Sequence, residues 1–398
     1  MEKELFRAII AENQEYIGRV TLVQRPLDLE EYGNYVFVGV RQAGKSYLLY
    51  QRIQQLLANG VEIENIVYVN FDDERLQGMS VTDLDLILQA YHSMYDSQPI
   101  FFFDEIQNVE GWANFARRLA NQKYRIYITG SNAKMLSRDI ETVLGGRYLD
   151  ISVFPYSFSE YLKAVGVLLS KNWQYGRKAN ELQRHFRTYF DWGGFPELVH
   201  FQEKRVWLNS LYNRIFFNDL VVRHKIKNED ALRLCVRRLA ESVKQPCSLN
   251  RLSNLIKATG TSCSPSTVME YVRYLQESCL LISIDNYVSK FVEKETIKKH
   301  YFVDNGLLHL FINNPNTSLL ENLCAITLYK KYGKGLYYYN KNIEVDFYVP
   351  DEGLVVQASY QMSDEETIER EVKALVALHG LYPLKRAMII TYDDEGEI

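Results

Sequence analysis

Between residues 33 and 155 the chain alternates short β-rich runs, several of them nearly all apolar, with stretches of helical periodicity. The runs are Tyr35 to Val38, Ile66 to Asn70, Pro99 to Phe103, Arg125 to Thr129 and Leu149 to Val153. Runs this apolar suit strands buried on both faces of a parallel sheet. Their alternation with helical patterns predicts an α/β domain with right-handed crossovers.

From 156 to 300 the pattern turns helical. Asp230 to Ser242, Ser248 to Ala258 and Ser266 to Ser278 repeat their apolar positions with a period of about 3.6. Each has a start signal: Asn228 or Asp230, Ser248, and Ser264 followed by Pro265. An apolar segment, Cys279 to Ile284, then reads as a strand. This order predicts a winged helix whose second and third helices form a helix-turn-helix. From 301 strands return at Tyr301 to Val303, Leu336 to Tyr339, Glu344 to Val349, Leu354 to Ala358 and Arg386 to Thr391. Helical stretches at Leu319 to Tyr332 and Ser363 to His379 lie among them, as in a second, smaller α/β domain. Asn313-Asn314-Pro315-Asn316 makes the boundary a turn cluster rather than a long linker. The expected division is 1–155, 156–300 and 301–398.

Composition changes this picture little. The 398 residues are 47 % apolar and 24 % charged, which suits two to three globular domains and excludes a disordered or fibrous chain. Five cysteines, at 235, 247, 263, 279 and 324, form no CxxC pair and leave one over, so reduced thiols in a cytoplasmic protein are expected. The first residues, MEKELFRAIIAENQEYIG, hold no apolar core of a secretory signal. No apolar run approaches the roughly 20 residues of a membrane span, so no membrane partner is expected.

Candidate chemistry is concentrated in the first domain. Gly39-Val40-Arg41-Gln42-Ala43-Gly44-Lys45-Ser46 fits GxxxxGK[ST], the Walker A pattern, after a predicted strand and ahead of a helical run that begins at Tyr47. The glycines let backbone N–H groups converge on a β-phosphate at a helix N-terminus. Lys45 then reaches the β- and γ-phosphates, and Ser46 offers a hydroxyl to Mg²⁺. The apolar run Pro99 to Phe103 ends in Asp104-Glu105, the Walker B arrangement. There Asp104 serves the metal, and Glu105 polarises the water that attacks the γ-phosphate. Ser131 and Asn132, just after the next strand, are candidate sensors of the γ-phosphate. Arg147 is a candidate arginine finger, acting on its own chain's nucleotide or on a neighbour's. ATP and Mg²⁺ are the expected cofactors, and ATP hydrolysis coupled to conformational change the expected activity.

With these residues assembled, the chain resembles prokaryotic P-loop ATPases of the AAA+/STAND-like group that carry a C-terminal DUF4143 domain. The resemblance rests on GVRQAGKS at 39–46, FFFDEIQ at 101–107, the segment 127–162, WGGFPELV at 192–199, YFVDNGLLHLF at 301–311, LLENLCA at 319–325 and EVDFYV at 344–349. It implies a five-stranded ATPase core of 5-1-4-3-2 order, then a winged-helix region, with Pro196 of Gly194-Phe195-Pro196 set against the adenine. It also implies a restriction-endonuclease-like fold for the last domain, whose nucleases use a PD-(D/E)xK site. Glu321 and Asp346 match the acidic positions of that site. Gln357 and Ser359 stand where its second carboxylate and its lysine belong, so the expected site is degenerate and serves binding rather than cutting.

The net charge of −4 conceals an asymmetry. From Lys204 to Lys299 there are 17 Lys/Arg against 9 Asp/Glu, a balance of +8 that leaves −12 for the rest. A DNA or RNA partner for the winged-helix region is therefore one expectation. Ser266, Thr267, Glu270 and Arg273 would be its outward recognition-helix residues, and only Arg273 is basic. A pure nucleotide switch, a protein partner and a homo-oligomer are the other readings.

Overall fold

Five parallel strands form the first layer: β1 (Tyr35–Val38), β2 (Ile66–Asn70), β3 (Ile100–Asp104), β4 (Arg125–Gly130) and β5 (Leu149–Ser152). Their order is β2-β3-β4-β1-β5, which is the expected 5-1-4-3-2 sheet read from its other edge. In this computed structural model residues 1–136, 142–169, 173 and 177–396 are described. Close packing divides the chain into two units, Met1–Phe154 and Pro155–Ile398.

β1 to β4 are buried along almost their whole length, as strands covered on both faces of a sheet are, whereas β5 is largely exposed. Phe101, Phe102 and Phe103 of β3 are wholly buried. Phe102 stacks on Tyr127 of β4 at 4.7 Å, and Tyr127 in turn lies parallel to Tyr35 of β1 at 6.0 Å. Pro99 stays outside β3, consistent with its missing N–H. Helices Lys45–Ala58, Leu84–His92 and Trp112–Asn121 follow β1, β2 and β3 in the chain. A helix at Lys3–Ile17 buries Phe6, Ile9, Ile10 and Ile17 and packs on β2 and on Leu84–His92. Asn13 ties it to β2 by donating to the Tyr68 carbonyl at 3.2 Å.

The second unit is built on one seven-stranded sheet. Its strands are β6 (Cys247–Ser248), β7 (Leu281–Asn286), β8 (Ile297–Phe302), β9 (Tyr337–Asn340), β10 (Glu344–Val349), β11 (Leu354–Ala358) and β12 (Arg386–Ile390). Their order is β12-β11-β10-β9-β7-β8-β6. Parallel pairing of Asp285 with Tyr337 and Asn286 with Tyr338 joins β7 to β9. Strand pairing therefore carries the sheet across residue 300.

Helices Phe158–Ala164, Arg177–Trp192 and Lys204–Arg214 open the unit, and Glu229–Glu241, Leu249–Lys257 and Pro265–Glu277 follow them ahead of β7. The caps of these last three are those the sequence signals predict. The Asn228, Ser248 and Ser264 side chains accept from the N–H groups of Ala231, Arg251 and Thr267 at 3.0, 3.2 and 3.1 Å. Further on, helix Asn316–Tyr332, the meander β9-β10-β11, helix Glu365–His379 and β12 complete the unit, with β12 parallel to β11. All five cysteines are free thiols and four are buried. No helix among the described residues is long and apolar enough to cross a membrane.

Candidate functional site

β1 ends at Val38 and helix Lys45–Ala58 begins seven residues later, so residues 39–44 make the whole connection. Gly39 is required by contact: a Cβ there would lie 2.0 Å from the Val153 carbonyl oxygen. Gly44 is required by conformation, with φ 91° at the helix N-cap. Arg25 braces the loop from outside it. Its guanidinium donates to the carbonyls of Ala43 at 3.1 Å and Phe154 at 2.9 Å.

Lys45 is only 4 % exposed. Its ammonium donates to the carbonyls of Gly39 at 3.2 Å and Val40 at 3.3 Å, and lies 3.3 Å from Glu105 Oε1. Glu105 adopts a left-handed backbone, φ 53°, which is uncommon for a residue with a side chain. Burial would raise the pKa of its carboxyl, but the charge of Lys45, a hydrogen bond from Gln107 and the charge of Arg41 together hold it below the usual carboxylate range.

Asp104 is the opposite case. Full burial, reinforced by the neighbouring Glu105 charge, raises its pKa. Hydrogen bonds from Ser46, Thr129 and Tyr68 partly offset that burial. Tyr68 donates to Oδ2 at 2.7 Å, and the Thr129 hydroxyl donates to Oδ1 while accepting the Glu105 N–H at 3.0 Å. Thr129 thus fixes both carboxylate-bearing residues from β4.

The other predicted residues are placed as follows. Val40 and Ala43 are buried in the loop wall. Gln42 takes φ 62°, and Arg41 faces Asp72 at 4.0 Å. Tyr47 is largely exposed, its ring edge-on to Tyr50 at 5.6 Å. Ser131 is buried and receives the Gln107 amide at 3.4 Å, and Asn132 follows it, half-buried. Arg147 stands apart from these residues. It is exposed, and its carbonyl accepts from Asn34 at 3.4 Å. β5 starts opposite Tyr35, the first residue of β1, so Arg147 lies near the strand ends opposite to those that carry the phosphate loop. The four residues of β1 separate the two ends by about 13 Å. Parallel pairing therefore does not bring Arg147 to its own loop. Pro196 belongs to the second unit, half-buried at the head of the 3₁₀ turn Glu197–His200.

In the second unit Glu321, Asp346 and Gln357 converge, and a residue outside the predicted set joins them. Lys299 of β8 is fully buried, with its ammonium 2.9 Å from Asp346, 3.2 Å from Glu321 and 3.6 Å from Glu344. Tyr301 donates to Glu321 at 2.8 Å. Gln357 accepts the Asp346 N–H at 2.6 Å and donates to Glu371 at 2.8 Å. Ser359 is engaged elsewhere, donating to the Gln361 carbonyl at 3.1 Å. The cation of this cluster therefore comes from β8 and not from the strand bearing Gln357.

Sequence reasoning missed Thr129, Tyr68, Gln107, Arg25 and Lys299. Thr129 had a signal, as the one polar residue closing an apolar run. Tyr68 looked like ordinary strand packing, and Lys299 was one of many basic residues in its segment.

A phosphate-type loop at the carboxyl ends of a parallel sheet, facing an Asp-Glu pair, defines a P-loop class of site. Residues 31–162 match the family described as an AAA domain. Residues 183–318 match a domain of unknown function, DUF8612. This corrects the DUF4143 expectation: WGGFPELV and YFVDNGLLHLF, two of the motifs behind it, lie inside the DUF8612 match. The chain is 31 % identical over 411 residues to the uncharacterized protein MJ1544 of Methanocaldococcus jannaschii, covering 99 % of this chain and 90 % of that one. It is 30 % identical over 340 residues to an uncharacterized protein of Haemophilus influenzae, covering 83 % of each. The chain belongs to the family of these two proteins. Among solved structures it is similar to the Walker-type ATPase paby2304 of Pyrococcus abyssi (TM-score 0.46, 12 % identity, 78 % of this chain and 95 % of that one). It is also similar to the Aeropyrum pernix ORC1 protein in complex with DNA (TM-score 0.33, 15 % identity, 81 % and 93 %).

Proposed function

We propose that the protein binds ATP with Mg²⁺ at residues 39–46 and hydrolyses it, coupling turnover to a change of conformation. The observation that carries this reading is the placement of Lys45 between the loop carbonyls and Glu105. The N–H groups of the loop and the N-terminus of helix Lys45–Ala58 bind phosphate. Lys45 neutralises charge that develops on the γ-phosphate. The Ser46 hydroxyl and the Asp104 carboxylate, hydrogen-bonded to each other, are hard oxygen donors of the kind Mg²⁺ takes. Bound there, the ion would supply positive charge to the β- and γ-phosphate oxygens. Glu105, ionised at neutral pH, accepts a hydrogen bond from the attacking water and orients it. Thr129 holds Asp104 and Glu105 in register, and Gln107 with Ser131 extends the polar wall on which a γ-phosphate is sensed. Phosphate release and ATP binding, measured on the wild type and on Glu105→Gln, test the reading.

For the second unit we propose a winged helix over residues 229–302 and a nuclease-like fold, without cutting activity, over 316–390. The order helix, short strand, two helices and hairpin supports the first, with β6 paired to β8. The convergence of Glu321, Asp346 and Gln357 supports the second, and Lys299 among the carboxylates supports the loss of cutting. No DNA cleavage with Mg²⁺ or Mn²⁺ is expected; cleavage lost in Asp346→Ala would refute it. A nucleic-acid role for the winged helix gains little from its recognition helix, where Arg273 faces Glu277 at 3.7 Å.

A further inference from the structure

Helix Arg177–Trp192 presents Arg177, Asn180, Arg184 and Arg187 at intervals of three, four and three residues. That spacing sets all four on one helix face. At 1.5 Å per residue the row spans about 15 Å. It lines a groove of about 970 Å³ whose other wall is Tyr392 and Asp393, just beyond β12. Phe186 lies in the same wall as the arginines.

Two features separate this groove from an ordinary solvated face. Arg177 and Arg184 are exposed, and among the described residues no carboxylate pairs with either. On the same helix Arg187 is committed, bonded to Asp191 at 2.8 Å and to the Tyr360 hydroxyl at 3.4 Å. The second feature is an aromatic platform. Tyr392 stacks on Tyr360 at 5.0 Å and meets Phe186 at 5.7 Å and Phe190 at 4.9 Å. The Arg187 guanidinium sits 5.7 Å from the Tyr392 ring. Tyr392 is thus held from behind while it lines the groove. Among the described residues Asp393 is the one carboxylate of the lining, against three guanidiniums.

We propose that this groove binds single-stranded nucleic acid. Arg177 and Arg184 take backbone phosphates, Asn180 supplies an amide to phosphate or base edge, and bases stack on Tyr392 and Phe186. Two arginines that no carboxylate among the described residues pairs would by themselves suit any polyanion. The fixed aromatic wall favours a ligand with ring faces over an acidic polypeptide. Exposed bases, not a closed duplex, are what such a wall can reach. The site is separate from the helices of residues 229–277, where basic composition alone points to nucleic acid.

The test is fluorescence anisotropy of the full chain with a labelled 20-nucleotide oligo(dT) and its RNA counterpart, across a KCl series. Arg177→Gln/Arg184→Gln is expected to weaken binding at least tenfold and to lower the slope of log affinity against log salt by about 1.4, two phosphate contacts at about 0.7 each. Tyr392→Leu, which keeps bulk and removes the ring, is expected to weaken binding about fivefold or more. Thermal melting establishes that each variant is folded. Arg251→Glu/Lys257→Glu, on the helix-turn-helix, is expected to leave the affinity unchanged. The proposal is overturned if oligonucleotide fails to bind at 50 mM KCl, or if only the Arg251/Lys257 variant weakens. Duplex bound as tightly as single strand and indifferent to Tyr392→Leu overturns it too. So does polyglutamate that competes as well as the oligonucleotide, since the groove would then take acidic polypeptide.

Discussion

The Lys45 ammonium stands 3.3 Å from Glu105, while Asp104, the residue before it, is held instead by Tyr68 and Thr129. Two adjacent carboxylates thus sit in opposite electrical settings, one pushed up and one held down. In our account they have different tasks, Asp104 toward the metal and Glu105 toward water. Thr129 bonds to both residues, at the Asp104 carboxylate and the Glu105 N–H.

Replacing Thr129 by Val keeps the side-chain shape and removes the hydroxyl. The Asp104 carboxylate and the Glu105 N–H both lose a buried partner. A loss of about 1–3 kcal/mol in unfolding free energy is expected, together with a drop in ATP turnover. Urea titration and phosphate release check the two effects separately. Wild-type values in both would show that Thr129 holds neither group.

Gly39→Ala brings a methyl group to 2.0 Å from the Val153 carbonyl. Because backbone rather than a flexible side chain is in the way, the loop has to shift. We expect nucleotide affinity to fall at least tenfold, read by titration with a fluorescent ATP analogue. Undiminished affinity would mean that the loop's path does not govern binding.

Lys299 is the only cation that the described residues place between Glu321 and Asp346. Lys299→Met leaves buried carboxylates uncompensated and should cost about 3–5 kcal/mol. Adding Glu321→Gln removes one of those charges and should restore part of the loss. A double variant no more stable than the single one would argue against charge compensation as the role of Lys299.

His300 gives a pH dependence of known sign. Full burial, with the charge of Lys298 adding to it, pushes its pKa from 6.5 down to about 4, and its Nδ1 lies 2.7 Å from the Ser283 hydroxyl. A depressed folded-state pKa stabilises the fold above the unfolded value and loses that stabilisation as pH falls through the folded value. The loss therefore develops between about pH 6.5 and 4, and approaches about 3 kcal/mol in full. Asp304, raised by burial to about 6, acts in the opposite direction, so the comparison has to be made against a His300→Gln variant. The stability gap between the two proteins should narrow on acidification; a gap independent of pH would contradict the assignment.

The fold was legible where one physical cause dominated. Burial on both faces wrote β1 to β4 of the first unit as apolar runs, whereas β5 is largely exposed, and Ser248 and Ser264 marked helix starts because local capping needs no tertiary partner. The phosphate loop was legible for the same reason, since its glycines answer to a close approach and a left-handed turn. The residues that hold the site from a distance were not. Thr129 reaches Asp104 only because β4 lies beside β3, and Lys299 meets Glu321 and Asp346 only through folding of the second unit. Arg147 was placed by its charge, whereas its position is set by the direction of β5. The pairing of β7 with β9 had no sequence signal, because strands distant in the chain carry no mark of their neighbours.

The central claim is ATP hydrolysis with Glu105 as the residue that activates water. Its most direct test is steady-state phosphate release by wild type and Glu105→Gln, with ATP affinity measured on the same preparations. Loss of a positioned base predicts turnover lower by about 10²–10⁴-fold with ATP still bound, while Lys45→Ala loses binding itself. Turnover in Glu105→Gln equal to the wild type, or a wild type that binds ATP and releases no phosphate, would contradict the account.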